Sequence, residues 1–459
     1  MKRTAPAGSA PASAAASAAS SVPIGAADLG PPPRRLEREL RLFYLFRLLA
    51  TSYLFVPIFM LFQEARGLTF FQRLALGGVY SAVVILVEVP TGVFADRLGR
   101  RHSMMLGAVA MIASCVLAIR AHSFAAFAAA EGLAAVSMAL CSGADTAYLY
   151  DLLAWHGRGA EYARRESTAS AMHLLGSAIA FAGGGLAASV ELTLPYVLTA
   201  VVAAAALVVA ASLGDDRQRH RAVRAAARAG SPAVADAHPL RGWWRDVVAA
   251  LAAVRGNPRL GWLVAYSAVV FTLLRATIYV YQPYLDQRGF GTIEIGLLFA
   301  GMYLFAALIA YRTHLLRTRY SEEQLLWGLL GVLAGSFLLL GQVHAGPILL
   351  GLLAVQAVAS GLFSPLTKPL LHREIADSQR RAAVLSVESM ARRAALGLFA
   401  PMAGLFGQGH VMVLCGVVGL GGMVVLALVR MPAAASERVS VATTGRGALP
   451  ALPSKVPET

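Results

Sequence analysis

The sequence predicts an all-α membrane protein of twelve transmembrane helices, arranged as two six-helix bundles related by a pseudo-two-fold axis. Three observations carry this expectation. The 459 residues are 57% hydrophobic and only 14% charged, against about a quarter charged in an ordinary soluble domain. Twelve apolar runs of roughly 17–27 residues follow one another, each long enough to cross about 30 Å of hydrocarbon as helix. The chain also repeats itself weakly halfway along.

The elements follow in order. Residues 1–35 are mostly Ala, Ser and Pro. Such a composition cannot build a core and reads as a disordered cytoplasmic tail. No compact apolar segment follows Lys2 and Arg3, so the tail is not a signal peptide. The N-terminal bundle, 36–213, begins with basic Arg38 and Arg41 and holds spans near 42–62, 74–94, 103–119, 123–149, 168–190 and 192–213. A cytoplasmic linker, 214–259, is arginine-rich and then places Trp243, Trp244, Val247, Val248, Leu251 and Val254 at helical spacing. That pattern predicts an amphipathic helix on the inner membrane surface. The C-terminal bundle, 260–430, holds spans near 260–283, 293–311, 323–342, 345–366, 383–407 and 410–430. Residues 431–459 form a second disordered cytoplasmic tail. Helix is required in every span, because each backbone amide must be satisfied within its own segment in lipid.

Arginine and lysine set the orientation. With the N-terminus inside, thirty-two of the forty Lys and Arg fall in cytoplasmic segments and four in outside loops, Arg66, Arg73, Arg120 and Arg288. The remaining four, Arg47, Arg275, Arg392 and Arg393, lie within spans. This bias places both ends in the cytoplasm. It also accounts for the net charge of +15, so nucleic acid is not an expected partner. Cys115, Cys141 and Cys415 sit in apolar runs and form no CxxC pair. No P-loop, HExxH or GxSxG occurs, so neither an ATPase nor an enzyme is expected, and no cofactor or metal.

The repeat pairs SGADTAYLYDLL from Ser142 with SGLFSPLTKPLL from Ser360. Two parallel six-span halves are typical of secondary transporters with a site between them. Between spans 2 and 3 stands GVFADRLGRR, residues 92–101. Gly92 is expected to let the end of span 2 approach a neighbour, and Gly99 to permit a tight turn. Positive-inside bias explains Arg97, Arg100 and Arg101, but neither Asp96 nor the glycines.

This decapeptide resembles the loop signature of the major facilitator superfamily, G-x-x-x-D-R-x-G-R-R/K, at every fixed position. The resemblance covers about residues 36–430. It implies two bundles around a central cavity that opens alternately to each side, with spans 1, 4, 7 and 10 lining it. It also implies that Asp96, Arg97 and Arg100 latch the cytoplasmic side against the start of span 11. At the equivalent place in the second half, Arg317 and Arg319 remain, but His314 stands opposite Asp96.

Charges within spans are costly in lipid, so each is a candidate site. The cavity positions implied by the resemblance are Arg47, Glu131, Asp145, Arg275 and Gln356. Glu88, His173, Glu388 and Arg392 are the other candidates for a substrate or proton site. Glu388 and Arg392 are four apart and have the spacing of a helix-face pair. Asp145 and Asp151 are expected near Arg100 or Arg101, and Arg47 has the alternative of reaching the inner headgroups. Glu131 is the deepest carboxylate and the candidate proton carrier. The function expected is a monomeric secondary transporter in a bacterial inner membrane, in contact with lipid, that couples the movement of a small-molecule substrate to protons. Export of drug-like or metabolite compounds is favoured. The alternatives are uptake of an anionic metabolite, or a sensor or scaffold that no longer transports.

Overall fold

The computed structural model describes residues 33–217, 219, 239–343, 346–375 and 381–429. Residues 1–32 of the first predicted tail, the second tail, almost all of 218–238, and the side chains of Asp96, Trp243, Trp244 and His314 lie outside that description, while Pro33, Arg34 and Arg35, expected in the first tail, instead open the first helix. Every described regular element is a helix.

The N-terminal bundle contains α1 (Pro33–Leu49), α2 (Phe59–Ala65), α3 (Phe70–Leu98), α4 (Arg100–Arg120), α5 (Phe124–Cys141), α6 (Ala144–Trp155), α7 (Tyr162–Val190) and α8 (Leu194–Ser212). The linker carries α9 (Pro239–Gly256). The C-terminal bundle contains α10 (Pro258–Asp286), α11 (Thr292–Arg317), α12 (Glu322–Leu340), α13 (Gly346–Glu374), α14 (Arg381–Gly404) and α15 (Val411–Val429).

Span 1 is not the continuous helix expected over 42–62. It is split into α1 and α2 by a non-helical stretch, 50–58. The cause is local. The Thr51 and Ser52 hydroxyls turn back to the carbonyls of Arg47 and Leu48, at 2.9 and 2.7 Å. Pro57 has no amide to continue a ladder. The freed backbone is satisfied inside the protein: Leu54 N donates to Thr199 Oγ1 at 3.0 Å. Irregular backbone is tolerated at membrane depth only under such cover. Span 4 also breaks, at Gly143, whose φ of 81° lies in the left-handed region. It resumes as α6 and runs six residues beyond the predicted end. Spans 5 and 10 extend past their apolar runs too, at 162–190 and 346–374. An apolar run marks the hydrocarbon slab, while the helix continues through the headgroup region.

Among the described residues, ten helical segments are long and apolar enough to cross a membrane. The other two crossings are the split span 1 and α14, which carries Glu388, Arg392 and Arg393. The twelve-crossing, two-bundle architecture therefore includes two crossings that hydropathy alone underrates.

The bundles meet along two seams, α3 against α14 and α7 against α11. Small residues make the contact close, as in other membrane bundles. A Cβ built on Gly185 of α7 would lie 2.4 Å from the Thr292 carbonyl oxygen and 2.8 Å from the Gly296 Cα of α11. One built on Gly404 of α14 would lie 2.8 Å from the Phe71 Cα of α3. Between α2 and α10, Met60 N donates to Gln282 Oε1 at 2.9 Å, and Gln282 Nε2 donates to the Val56 carbonyl at 2.9 Å. All these contacts lie at the ends predicted to face outward. The linker helix α9 packs on α10 and α14. Its Val247 and Ala250 are buried, while Val248 and Leu251 are exposed.

Candidate functional site

In the N-terminal bundle the charges are largely spoken for. Gly143 starts α6 so that Asp145 falls in its first turn. There Asp145 forms an ion pair with Arg47 of α1, and both side chains are nearly buried, at 11% and 13% exposed. Asp145 thus faces Arg47, not the loop arginines Arg100 and Arg101 that its position near the inner end suggested. The Arg47 head is held within the bundle by this carboxylate. His173 of α7 contributes its backbone carbonyl, which accepts from the Thr51 hydroxyl at 3.4 Å.

Glu131 is different. It sits midway along α5 and accepts from the Gln63 amide of α2 at 3.4 Å. Among the described residues it makes no ion pair. Tyr80 of α3 and Tyr279 of α10 stand within electrostatic range of both Glu131 and Arg275.

The C-terminal bundle encloses a cavity of about 340 Å³, within the roughly 300–1,000 Å³ of small-molecule sites. Arg275 of α10, Gln356 and Lys368 of α13, and Arg392 of α14 line it, beside the aromatic rings of Phe271 and Tyr281. Arg275 makes no hydrogen bond or ion pair among the described residues. The Arg392 guanidinium bonds Glu388 at 3.1 Å and lies over the Phe271 ring, 5.0 Å from its centre. Glu388 also accepts from the Ser267 hydroxyl. Gln356 donates to Ser336 Oγ at 2.9 Å. Glu88 and Arg393 approach to 4.0 Å across the α3–α14 seam.

The loop GVFADRLGRR bends at Gly99, with φ 100°. Its anchor is Asp216, at the start of the linker, whose carboxylate accepts from Arg100 N at 2.6 Å and Arg101 N at 3.4 Å. This caps the N-terminus of α4, where the helix dipole favours a negative group. The Arg101 guanidinium donates to the Ala211 carbonyl at 2.5 Å, and Arg217 Nε to the Leu98 carbonyl at 3.2 Å. A Cβ on Gly99 would lie 3.0 Å from Asp216 Oδ1. These bonds tie the loop to its own bundle through the end of α8. Gly92 was expected at a close helix contact, but a Cβ there would meet open space. Arg97 is exposed.

Residues 42–341 match the sequence profile of the Major Facilitator Superfamily. The chain belongs to this superfamily. It is a multi-pass membrane transporter of the facilitator type, not an enzyme. No curated protein matches the sequence. Solved structures share the facilitator fold at low identity. The nucleoside transporter NupG superposes with a TM-score of 0.71 at 11% identity, covering 86% of this chain and 99% of that one. A POT family transporter in complex with a thioalcohol-conjugated peptide gives 0.64 at 14%, covering 85% and 96%. The human organic anion transporter MFSD10 gives 0.53 at 20%, covering 86% and 100%.

Within this facilitator fold, the structure gathers Arg275, Gln356 and Arg392 at one cavity and leaves Arg47, Glu88, Glu131 and Asp145 outside its lining. Glu388 reaches it only through Arg392. Sequence reasoning passed over Lys368, Tyr281 and Asp216. Lys368 lies beyond the predicted end of span 10, yet it is one of only three lysines in the chain. That scarcity was its available signal. Asp216 gave none, because its partner is 116 residues away.

Proposed function

We propose that the protein moves a small molecule across a bacterial inner membrane by alternating access, driven by protons exchanged at Glu131. The arginine bias supports a chain with both ends in the cytoplasm. The single observation behind the proton role is the Glu131 carboxylate, which among the described residues is bonded by Gln63 alone, at 3.4 Å. Asp145 and Glu388 are tied to Arg47 and Arg392, so protonating either would break an ion pair. Glu131 exchanges a proton without that cost, and Tyr279 of the other bundle lies within its electrostatic reach.

Export is the favoured direction. The outer ends are closed on each other, and the cavity extends to Lys368 near the inner end of α13, so this state is loaded from the cytoplasmic side. Both bundles lie in one chain, so a monomer suffices. In inside-out vesicles holding the wild-type protein, a proton gradient is expected to drive cargo accumulation. With Glu131→Gln that dependence is lost, while exchange of cargo between the two sides persists. Equal gradient dependence in Glu131→Gln and wild type would rule out the assignment.

A further inference from the structure

The cavity in the C-terminal bundle carries charge of one sign. Arg275, Lys368 and Arg392 line it, and no Asp or Glu does. Among the described residues, only Arg392 of the three has a carboxylate among its bonded neighbours. Like charges converging on a low-dielectric recess repel, and an anion placed between them relieves that repulsion.

Several polar groups there also lack partners. The Tyr281 side chain is buried at 1% exposure, and its hydroxyl bonds nothing among the described residues. Arg392 Nε is likewise unbonded and buried. Gln356 is 1% exposed, and its Oε1 has no donor although its amide is held by Ser336. Buried polar atoms are nearly always satisfied, so orphans on several residues that line one cavity call for an occupant. Here the orphans are mostly donors, with one acceptor. The rest of the wall is apolar and aromatic, including Phe271, Phe299 and Phe363.

We infer that this cavity binds a small organic anion, a carboxylate or similar group on an apolar or aromatic body that also bears a hydrogen-bond donor. The acid group is taken by Arg275 and Arg392, since guanidinium pairs bidentately with carboxylates. The donor on the body meets Gln356 Oε1. Lys368, exposed near the inner end of α13, draws the anion in from the cytoplasmic side. The inference names the cargo class of the transporter proposed above and so rests on that reading.

Binding to the full-length protein in nanodiscs separates the two. Two matched trios serve as probes: 4-hydroxyphenylacetate, 4-hydroxyphenylacetamide and tyramine, and hexanoate, hexanamide and hexylamine. Each trio varies charge on a constant body. Binding is read as a rise in melting temperature and by calorimetry. The anion is expected to bind best in the hydroxylated trio. Arg275→Gln is expected to weaken it by about ten- to hundredfold. Lys368→Gln, at an exposed position where folding is not at stake, is expected to weaken it less, with a larger share lost at low salt. Amines or amides that bind as well as the anions overturn the inference. So does an anion preference that survives both substitutions, or the absence of binding by either anion at millimolar concentration. Anion binding without proton-driven transport contradicts only the proposed function. Transport by a protein that prefers the amines contradicts only this inference.

Discussion

Asp145→Asn is expected to destabilise the purified protein by about 3–5 kcal/mol, the usual cost of removing one partner from a buried ion pair. Arg47 and Asp145 are 13% and 11% exposed and pair across α1 and α6. Asparagine fills the same space but leaves the guanidinium without its countercharge, in a bundle core that includes Phe43, Phe46 and Tyr148. The cost therefore comes from the stranded charge rather than from lost packing. Replacing both residues, Arg47→Met with Asp145→Leu, removes the charge and is expected to restore most of the stability. Thermal unfolding followed by tryptophan fluorescence checks both variants. An Asp145→Asn protein within about 0.5 kcal/mol of wild type, as for an ordinary surface change, would mean that the pair does not hold α1 to α6.

Gly185→Val is expected to act on conformation more than on folding. The obstacle to a side chain there is backbone of the opposite bundle, the Thr292 carbonyl at 2.4 Å and Gly296 at 2.8 Å. Backbone cannot rotate away as a side chain can, so the α7–α11 seam must part at its outer end. Overpacking of this kind costs about 1–3 kcal/mol, which corresponds to about a five- to 150-fold shift in a two-state equilibrium. Only the outer-closed state carries that cost, so the outer-open state gains population. Tyr279→Cys, placed where the ring now packs on Gly77, reports the change through labelling by a membrane-impermeant thiol reagent. Faster labelling in the Gly185→Val background is expected. Unchanged labelling with a lowered melting temperature would show that the seam is a static packing contact.

Much of this architecture is legible in the sequence because membrane physics constrains it strongly. Apolar length marks most of the crossings, and GVFADRLGRR points to the superfamily. Hydropathy does not register the features that shape the site. The break in span 1 depends on Thr51, Ser52 and Pro57 acting together, and on Thr199 satisfying Leu54 from another helix. The inner end of span 10 was placed where apolarity stops, which left Lys368 in a loop, whereas α13 continues to Glu374. Asp145 was read against Arg100 and Arg101 at the same predicted end of the bundle, but the break at Gly143 sets it against Arg47. Each miss is a long-range pairing or a helix continued past its apolar core, and neither leaves a periodic signature. Cys141 and Cys415 pack within the bundles, as apolar context suggested.

The central claim is alternating access, and paired distances across the two faces test it without knowledge of the cargo. In a background with Cys115, Cys141 and Cys415 replaced by alanine, spin labels at Val190→Cys and Ile293→Cys report the outer ends of α7 and α11. Labels at Ser167→Cys and Leu315→Cys report their inner ends. All four positions are exposed. Pulsed electron–electron distances in nanodiscs across a pH series are expected to show reciprocal change, with the outer pair lengthening in the molecules whose inner pair shortens. Glu131→Gln is expected to remove the pH dependence. Two pairs that stay fixed, or that lengthen together, would contradict the account.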